Sequence, residues 1–94
     1  MPESNSLTVR KLPAGELVSG TAGNWTGRIL DIELSSPEAA PDLAAADLVE
    51  IATDSMIYLG EIRLREAARV VVLVEHSVDR GKLSRIADIW NRRP

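Results

Sequence analysis

Short runs in which apolar and polar residues alternate fill most of the chain before residue 77, and residues typical of turns separate them. The run Arg28 to Leu34, "RILDIEL", places Leu30, Ile32 and Leu34 on one face and two acidic side chains on the other. Successive side chains of a β-strand point to opposite faces. This spacing therefore predicts a strand whose aliphatic face belongs to the core.

Met56 to Arg65 is the clearest strand, because Ile62 and Leu64 alternate with charged residues. It contains an interior glycine, Gly60, which indicates a bulge or a close approach of two backbones. Arg69 to Glu75, "RVVVLVE", is apolar throughout its middle, which is typical of a strand buried on both faces. Together the patterns predict strands at Leu7–Leu12, Glu16–Ser19, Arg28–Leu34, Leu48–Ala52, Met56–Arg65 and Arg69–Glu75.

The segments between these runs carry turn signals. The stretch from residue 20 to residue 27 is rich in Gly and Asn and predicts a turn. Ser35–Asp47 holds two prolines and five alanines. It predicts a loop with one helical turn at Pro41–Ala45, because Ala favours helix and Pro is tolerated in a first turn.

The pattern changes period near the C-terminus. Leu83, Ile86 and Trp90 follow the spacing of an amphipathic helix, and Asp79 stands where an N-cap belongs. We therefore predict a helix from about Arg80 to Asn91 whose apolar face is buried against one open end of the sheet structure.

The length of 94 residues fits one domain, with strands at about 7–76 and the helix at about 80–91. Short strands without long helices between them pair antiparallel. A twisted sheet of this size best protects its edge strands by closing into a barrel. We expect an all-β fold, mainly β with one C-terminal helix: a closed or nearly closed small antiparallel barrel. The terminal strand Leu7–Leu12 is expected at an edge.

Composition argues against several functional classes. The chain has no cysteine and one histidine, His76, so neither a disulfide framework nor a thiolate metal site is predicted. His76 lacks a recognisable nucleophile and orienting group, and we predict a protein that is not an enzyme and needs no cofactor or metal. The formal net charge of −3 disfavours nucleic acid as a partner. No apolar run approaches a membrane span or a signal sequence, so the expected compartment is the cytoplasm.

Trp25 is one of only three aromatic residues, with Tyr58 and Trp90. A tryptophan flanked by glycines either stays exposed and contacts a partner or folds back over an end of the barrel. The scarcity of aromatic residues favours the second arrangement. If exposed, Trp25 is the predicted anchor for a protein partner, because exposed tryptophan is a common hot-spot type.

The order of these elements resembles the PilZ family. In that family a strand ending in an Asp-x-Ser-x-x-Gly motif is followed by a spacer, paired strands and a helix. Here "GRILDIELSS", Asp47–Val49, Leu59–Ile62 and Val71–Glu75 occupy those places. The similarity covers about Gly27 to Trp90 and lies in the strand pattern. It implies a bacterial protein with a PilZ-like split barrel capped by the C-terminal helix.

PilZ domains bind the bacterial second messenger cyclic di-GMP through an Arg-x-x-x-Arg segment before the barrel and through the Asp-x-Ser-x-x-Gly turn. Paired guanidinium groups clamp phosphates and stack on guanine. By this resemblance the ligand-binding residues are Arg10, Lys11, Asp31, Glu33 and Ser36. However, Glu33 replaces the motif's Ser, Ser36 replaces its Gly, and Arg10-Lys11 has no second arginine at the required spacing.

These departures lead us to expect that cyclic di-GMP binding is lost or weak. The favoured hypothesis is a non-catalytic regulatory module that acts through contact with a protein partner or as a homodimer. Trp25, the loop Ser35–Asp47 or the edge of Leu7–Leu12 would supply the contact. Two alternatives stay open: a functional cyclic di-GMP receptor, and an SH3-like small barrel that binds nucleic acid through exposed aromatic residues and a basic groove.

Overall fold

A computed structural model describes residues 6–82 and contains a six-stranded antiparallel β-barrel. All neighbouring strands pair antiparallel. In chain order the strands are β1 (Ser6–Lys11), β2 (Leu17–Thr26), β3 (Ile29–Leu34), β4 (Leu48–Ala52), β5 (Met56–Glu66) and β6 (Arg69–Asp79).

The barrel is closed, with the strand order β1-β2-β3-β6-β5-β4. Closure comes from β1, which pairs with β2 on one side and with β4 on the other. The expectation that the first strand lies at an edge is therefore wrong. Because both sides of β1 are hydrogen-bonded, it offers no edge for self-association.

Aliphatic side chains fill the barrel, as the alternation predicts. Leu30 and Ile32 of β3 are almost fully buried, and Leu34 joins them. The fully buried core positions of the other strands share the same inward face. The whole buried set comprises Leu7, Val9, Leu30, Ile32, Leu34, Leu43, Val49, Ile51, Ile62, Val70, Val72 and Val74.

The second strand is much longer than the sequence predicts. The predicted turn at 20–27 is in fact the second half of β2, and only Gly27 adopts a positive φ, of 61°. Gly20 faces inward, where a Cβ would lie 2.9 Å from the carbonyl oxygen of Glu33. The glycine thus permits close approach of β3 rather than a change of direction. The register shifts between Ala22 and Trp25, which indicates a bulge at residues 23–24.

One end of the barrel, which we call the loop end, is covered by residues 35–47. Leu43 from this loop is buried in the core, and the predicted helical turn is replaced by simple turns. The Arg65 side chain holds the loop, because its three guanidinium nitrogens donate to backbone carbonyls at 2.6–3.4 Å. The acceptors are Pro37, Ala39, Ala40, Leu43 and Ala67.

The opposite end carries the start of the predicted helix. Arg80–Lys82 are helical, and the carboxylate of Asp79 accepts a hydrogen bond from the Lys82 backbone N–H at 3.0 Å. Asp79 is therefore the predicted N-cap. The predicted apolar face of Leu83, Ile86 and Trp90 lies outside the described residues. Within residues 6–82, no helix has the length and apolar character needed to cross a membrane.

Candidate functional site

Trp25 and Tyr58 form an aromatic pair at one end of the barrel. This end lies opposite the loop end, and we call it the aromatic end. Their ring centroids are 5.4 Å apart with an interplanar angle of 60°, an edge-to-face arrangement. Trp25 pairs with the buried Leu30, and Tyr58 pairs with the buried Ile51. Cross-strand partners share a face of the sheet, so both rings are aligned with the inner face at the rim.

The position of Trp25 combines features of the two alternatives drawn from the sequence. Its ring lies at a barrel end, against a tyrosine that packs on the core. Nevertheless, 45% of the residue's surface remains exposed. This half-exposed ring is already held in place in the free protein. It therefore loses little conformational entropy when a partner binds to it.

The aromatic pair borders a cleft of about 250 Å³. The cleft lies where the β2–β3 turn approaches the ends of β5 and β6. Its walls combine ring surface with hydrogen-bonding groups and one carboxylate, that of Glu75. The lining residues are Trp25, Gly27, Arg28, Tyr58, Val74, Glu75, His76 and Ser77.

Arg28 differs from the other arginines of residues 6–82. Each of the others makes a side-chain hydrogen bond or an ion pair, as Arg10 does with Glu50 and Arg80 does with Thr53. Within this part of the chain, Arg28 makes neither a side-chain hydrogen bond nor an ion pair. Its five N–H donors, beside the aromatic pair, therefore have no acceptor among residues 6–82.

Asp31 and Glu33 lie on the outer surface of β3, two positions apart. The Arg69 guanidinium donates to both oxygens of Asp31, with the closest N–O distance at 3.0 Å. The hydrogen bonds to Asp31, and then its negative charge, raise the pKa of Arg69. Glu33 pairs with Arg69 across the strands and is exposed. The carboxylate matching the PilZ motif is thus already engaged by an arginine of the same chain.

Arg10 and Lys11 do not join these carboxylates. Arg10 forms an ion pair with Glu50 of β4 at 3.1 Å, and Lys11 lies 3.6 Å from Asp47. Ser6 pairs with Thr21, which in turn pairs with Glu33. By this register the basic pair lies two strands from Glu33 and at least four positions further along β1.

Ser36 lies in the loop after β3, where its carbonyl accepts a hydrogen bond from Ala39 at 3.2 Å. Asp31 and Glu33 line a shallow depression with Arg69 and Glu66, and Ser36 is not among its lining residues. The structure brings together Asp31 and Glu33 from the predicted ligand set. It leaves Arg10, Lys11 and Ser36 elsewhere.

Sequence reasoning missed Tyr58, Arg28 and Arg69 as members of these two surfaces. Tyr58 stands in a regular strand, and nothing in its neighbours indicates a contact with Trp25 more than thirty residues earlier. The spacing of Arg65 and Arg69 matches the family's arginine pair literally but falls after the motif. Arg69 instead reaches the motif's Asp31 because β3 and β6 are neighbours.

The exposed His76 lines the aromatic cleft. Among residues 6–82, no three His, Cys, Asp or Glu side chains are grouped as a metal site requires. Comparisons of the chain with protein-family models, with curated proteins and with solved structures find no match.

Proposed function

We propose that this chain is a non-catalytic, PilZ-like regulatory module of bacterial origin that acts by binding a protein partner at its aromatic end. The observation that carries the proposal is Trp25, which is braced edge-on by Tyr58 and still half exposed. Tryptophan, tyrosine and arginine are the residue types most enriched at the energetic centres of protein interfaces. All three occur here around one cleft.

The cleft also indicates the chemistry of the partner. The aromatic pair would contact an apolar side chain, and the Arg28 guanidinium, which has no partner within residues 6–82, would donate to a neighbouring carboxylate. Glu75 adds a negative charge to the wall, so the cleft as a whole is not basic. We therefore favour an extended protein segment with an apolar anchor beside an acidic residue over a nucleic acid, whose binding depends on a surplus of positive charge.

Replacing Trp25 with Ala should abolish most of this binding. Selection of a random peptide library on the wild-type protein should yield ligands with an apolar residue next to Asp or Glu. Their dissociation constants should rise at least about tenfold on Trp25→Ala, the loss expected of a hot-spot residue. Leu17→Ala is the matched control, because Leu17 is also apolar and 65% exposed but lies at the opposite end of β2. Ligands that bind both variants equally well would refute the assignment.

Cyclic di-GMP should not bind with measurable affinity. Arg10 and Asp31 are each engaged by a partner within the chain, and Glu33 would add a negative charge beside a dianionic ligand. Calorimetric titration in low-salt buffer, where electrostatic attraction is strongest, should show no saturable heat. The double variant Glu33→Ser/Ser36→Gly restores the residues of the Asp-x-Ser-x-x-Gly motif but not the arginine pair. It should also show no saturable heat. Saturable heat with the wild type that disappears in Asp31→Ala would establish the receptor function instead.

A further inference from the structure

The last part of β6 extends beyond the strand that pairs with it on one side. Pairing between β3 and β6 ends at Ile29 and Leu73, followed by a hydrogen bond of 2.8 Å from the Val74 N–H to the Arg28 carbonyl. Strand β6 then continues through Glu75–Asp79, which has only β5 as a neighbour in the described part of the chain. The side of Glu75–Asp79 that faces away from β5 therefore lacks a paired strand among residues 6–82, and we call it the open edge.

The hydrogen bonds between β5 and β6 show which backbone groups face the open edge. The Arg80 N–H donates to the Ser55 carbonyl at 2.9 Å, and residues 76–79 keep a single register with β5. Alternate residues of an antiparallel strand direct their N–H and C=O groups to opposite sides. Val78 therefore directs both groups toward β5, and Ser77 directs both toward the open edge. Within residues 6–82, no backbone hydrogen bond of Ser77 is found on that side.

The aromatic cleft lies along the open edge. Its lining includes Glu75, His76 and Ser77 of β6 together with Gly27 and Arg28, which form the turn before β3. Strand β3 begins directly after this turn. The cleft therefore occupies the place that β3 would take if it were longer, and a chain lying in it would continue the line of β3 beside β6.

The aromatic rings stand on the face that such a chain would share. Tyr58 pairs with Ser77 across β5 and β6, and cross-strand partners lie on one face of a sheet. Trp25 contacts Tyr58 on that face, with a centroid distance of 5.4 Å. A residue placed opposite Ser77 would thus direct its side chain toward both rings, while the residues before and after it point away. One strand position meets the open backbone groups and the rings together.

We infer that the partner segment binds as an added β-strand on the open edge, with its apolar anchor opposite Ser77. This inference rests on the proposed function and specifies how the segment is held. The N–H and C=O of Ser77 match the backbone of an extended chain, which supplies affinity, and the rings select the side chain. Arg28 lies where β3 stops, at the end of the added strand, where it can bind the acidic residue beside the anchor.

Charge disfavours a second copy of this chain as the added strand. In an antiparallel two-fold pairing centred on Ser77, Glu75 of each copy would lie opposite Asp79 of the other. Like charges directly opposite each other destabilise a strand pair. A segment of another protein need not carry carboxylates at these two positions, so we assign the open edge to a different chain.

Amide hydrogen exchange of the free protein, followed by NMR, tests the open edge without any peptide. The Ser77 N–H should exchange at least about tenfold faster than the Val78 N–H, because only the latter faces β5. Equal protection of the two amides would show that the edge is already covered, by residues outside 6–82 or by a second copy. That result would overturn the inference without deciding whether Trp25 anchors a partner.

A synthetic copy of one peptide selected on the wild-type protein tests the mode of binding. Saturating peptide should slow exchange of the Ser77 N–H at least about tenfold. N-methylation of the peptide, one residue at a time, should raise the dissociation constant about tenfold at alternate positions, because every second amide faces β6. Trp25-dependent binding without this alternation and without protection of Ser77 would overturn strand addition and leave the proposed function standing. Binding that Trp25→Ala does not weaken would refute the proposed function and this inference with it.

Ser77→Pro and Ser77→Ala form a matched pair on the protein side. Proline removes the N–H at an edge position, where it is tolerated, and alanine removes only the hydroxyl. Ser77→Pro should raise the dissociation constant of the peptide about tenfold, and Ser77→Ala should bind like the wild type. Thermal unfolding checks that Ser77→Pro folds, and the N-methyl scan on the wild type decides the question if it does not. Equal weakening by both variants would assign the contact to the hydroxyl and overturn the inference.

Discussion

Replacing Arg65 with Ala is expected to lower the free energy of unfolding by about 3 kcal/mol, because the charged donors of one side chain hold the whole loop over the barrel end. Its guanidinium donates to five carbonyl oxygens of residues 37–43 and residue 67. Without it, these acceptors lose its hydrogen bonds, and within residues 6–82 only Ala40 keeps another backbone donor, the Leu43 N–H at 3.0 Å. The buried Leu43 then loses the loop conformation that places it in the core. The strained φ of Ala40, 47°, gives the loop a further reason to rearrange.

Urea unfolding measures this loss, and amide hydrogen exchange localises it. The N–H groups of Leu43 and Ala46 should exchange much faster in Arg65→Ala, whereas that of Val72 should change only through the global stability. The free energy of unfolding of Arg65→Lys should lie between those of Arg65→Ala and the wild type. A lysine ammonium keeps the charge, but it cannot reach the several carbonyls that the planar guanidinium contacts at the same time.

Arg28→Ala is the matched control for the Arg65 variant. It removes the same type of side chain at a position where that side chain makes no hydrogen bond or ion pair with the described residues. It should change the free energy of unfolding by less than about 0.5 kcal/mol. Equal losses in the two variants, or unchanged exchange at Leu43 in Arg65→Ala, would mean that the guanidinium does not hold the loop.

The alternating pattern predicted much of the barrel. Leu48–Ala52 has the bounds of β4, and the predicted inward residues of β3 are buried. Asp79 caps the start of the helix as its position indicated. These features depend on residues only a few positions apart in the chain. Alternation and helix capping are patterns over that distance, so a single sequence is enough to predict them.

Features that depend on distant residues were harder to predict. The glycines in β2 indicate a turn by their local pattern, whereas in the barrel they allow close packing against β3. The closure between β1 and β4, and the contact of Arg69 with Asp31, join positions about forty residues apart. No local pattern specifies which strands become neighbours in a barrel. The sequence therefore predicts neither the pairing of β1 with β4 nor the set of residues that line the aromatic cleft.

Gly60 is the exception in which a local signal predicted a long-range contact, and its replacement is the second large effect that we expect. The register shifts between Leu59 and Gly60, so the predicted bulge is present. A Cβ at this buried position would overlap the carbonyl oxygen of Leu73 and lie 2.8 Å from a methyl group of Val72. Gly60→Ala should therefore force β5 and β6 apart where they pair, at a cost of about 3 kcal/mol.

Gly27→Ala is the informative comparison, because it makes the same change where a Cβ meets nothing within 4 Å. Its only penalty is the positive φ of 61°, which costs an alanine about 1 kcal/mol. Thermal and urea unfolding of the two variants should thus differ clearly, with Gly60→Ala the less stable. If Gly60→Ala proves too unstable to purify, the double variant Gly60→Ala/Val72→Ala should not rescue it, because the overlapping oxygen belongs to the backbone. Stability of Gly60→Ala equal to that of Gly27→Ala would show that β5 and β6 do not approach each other this closely at Gly60.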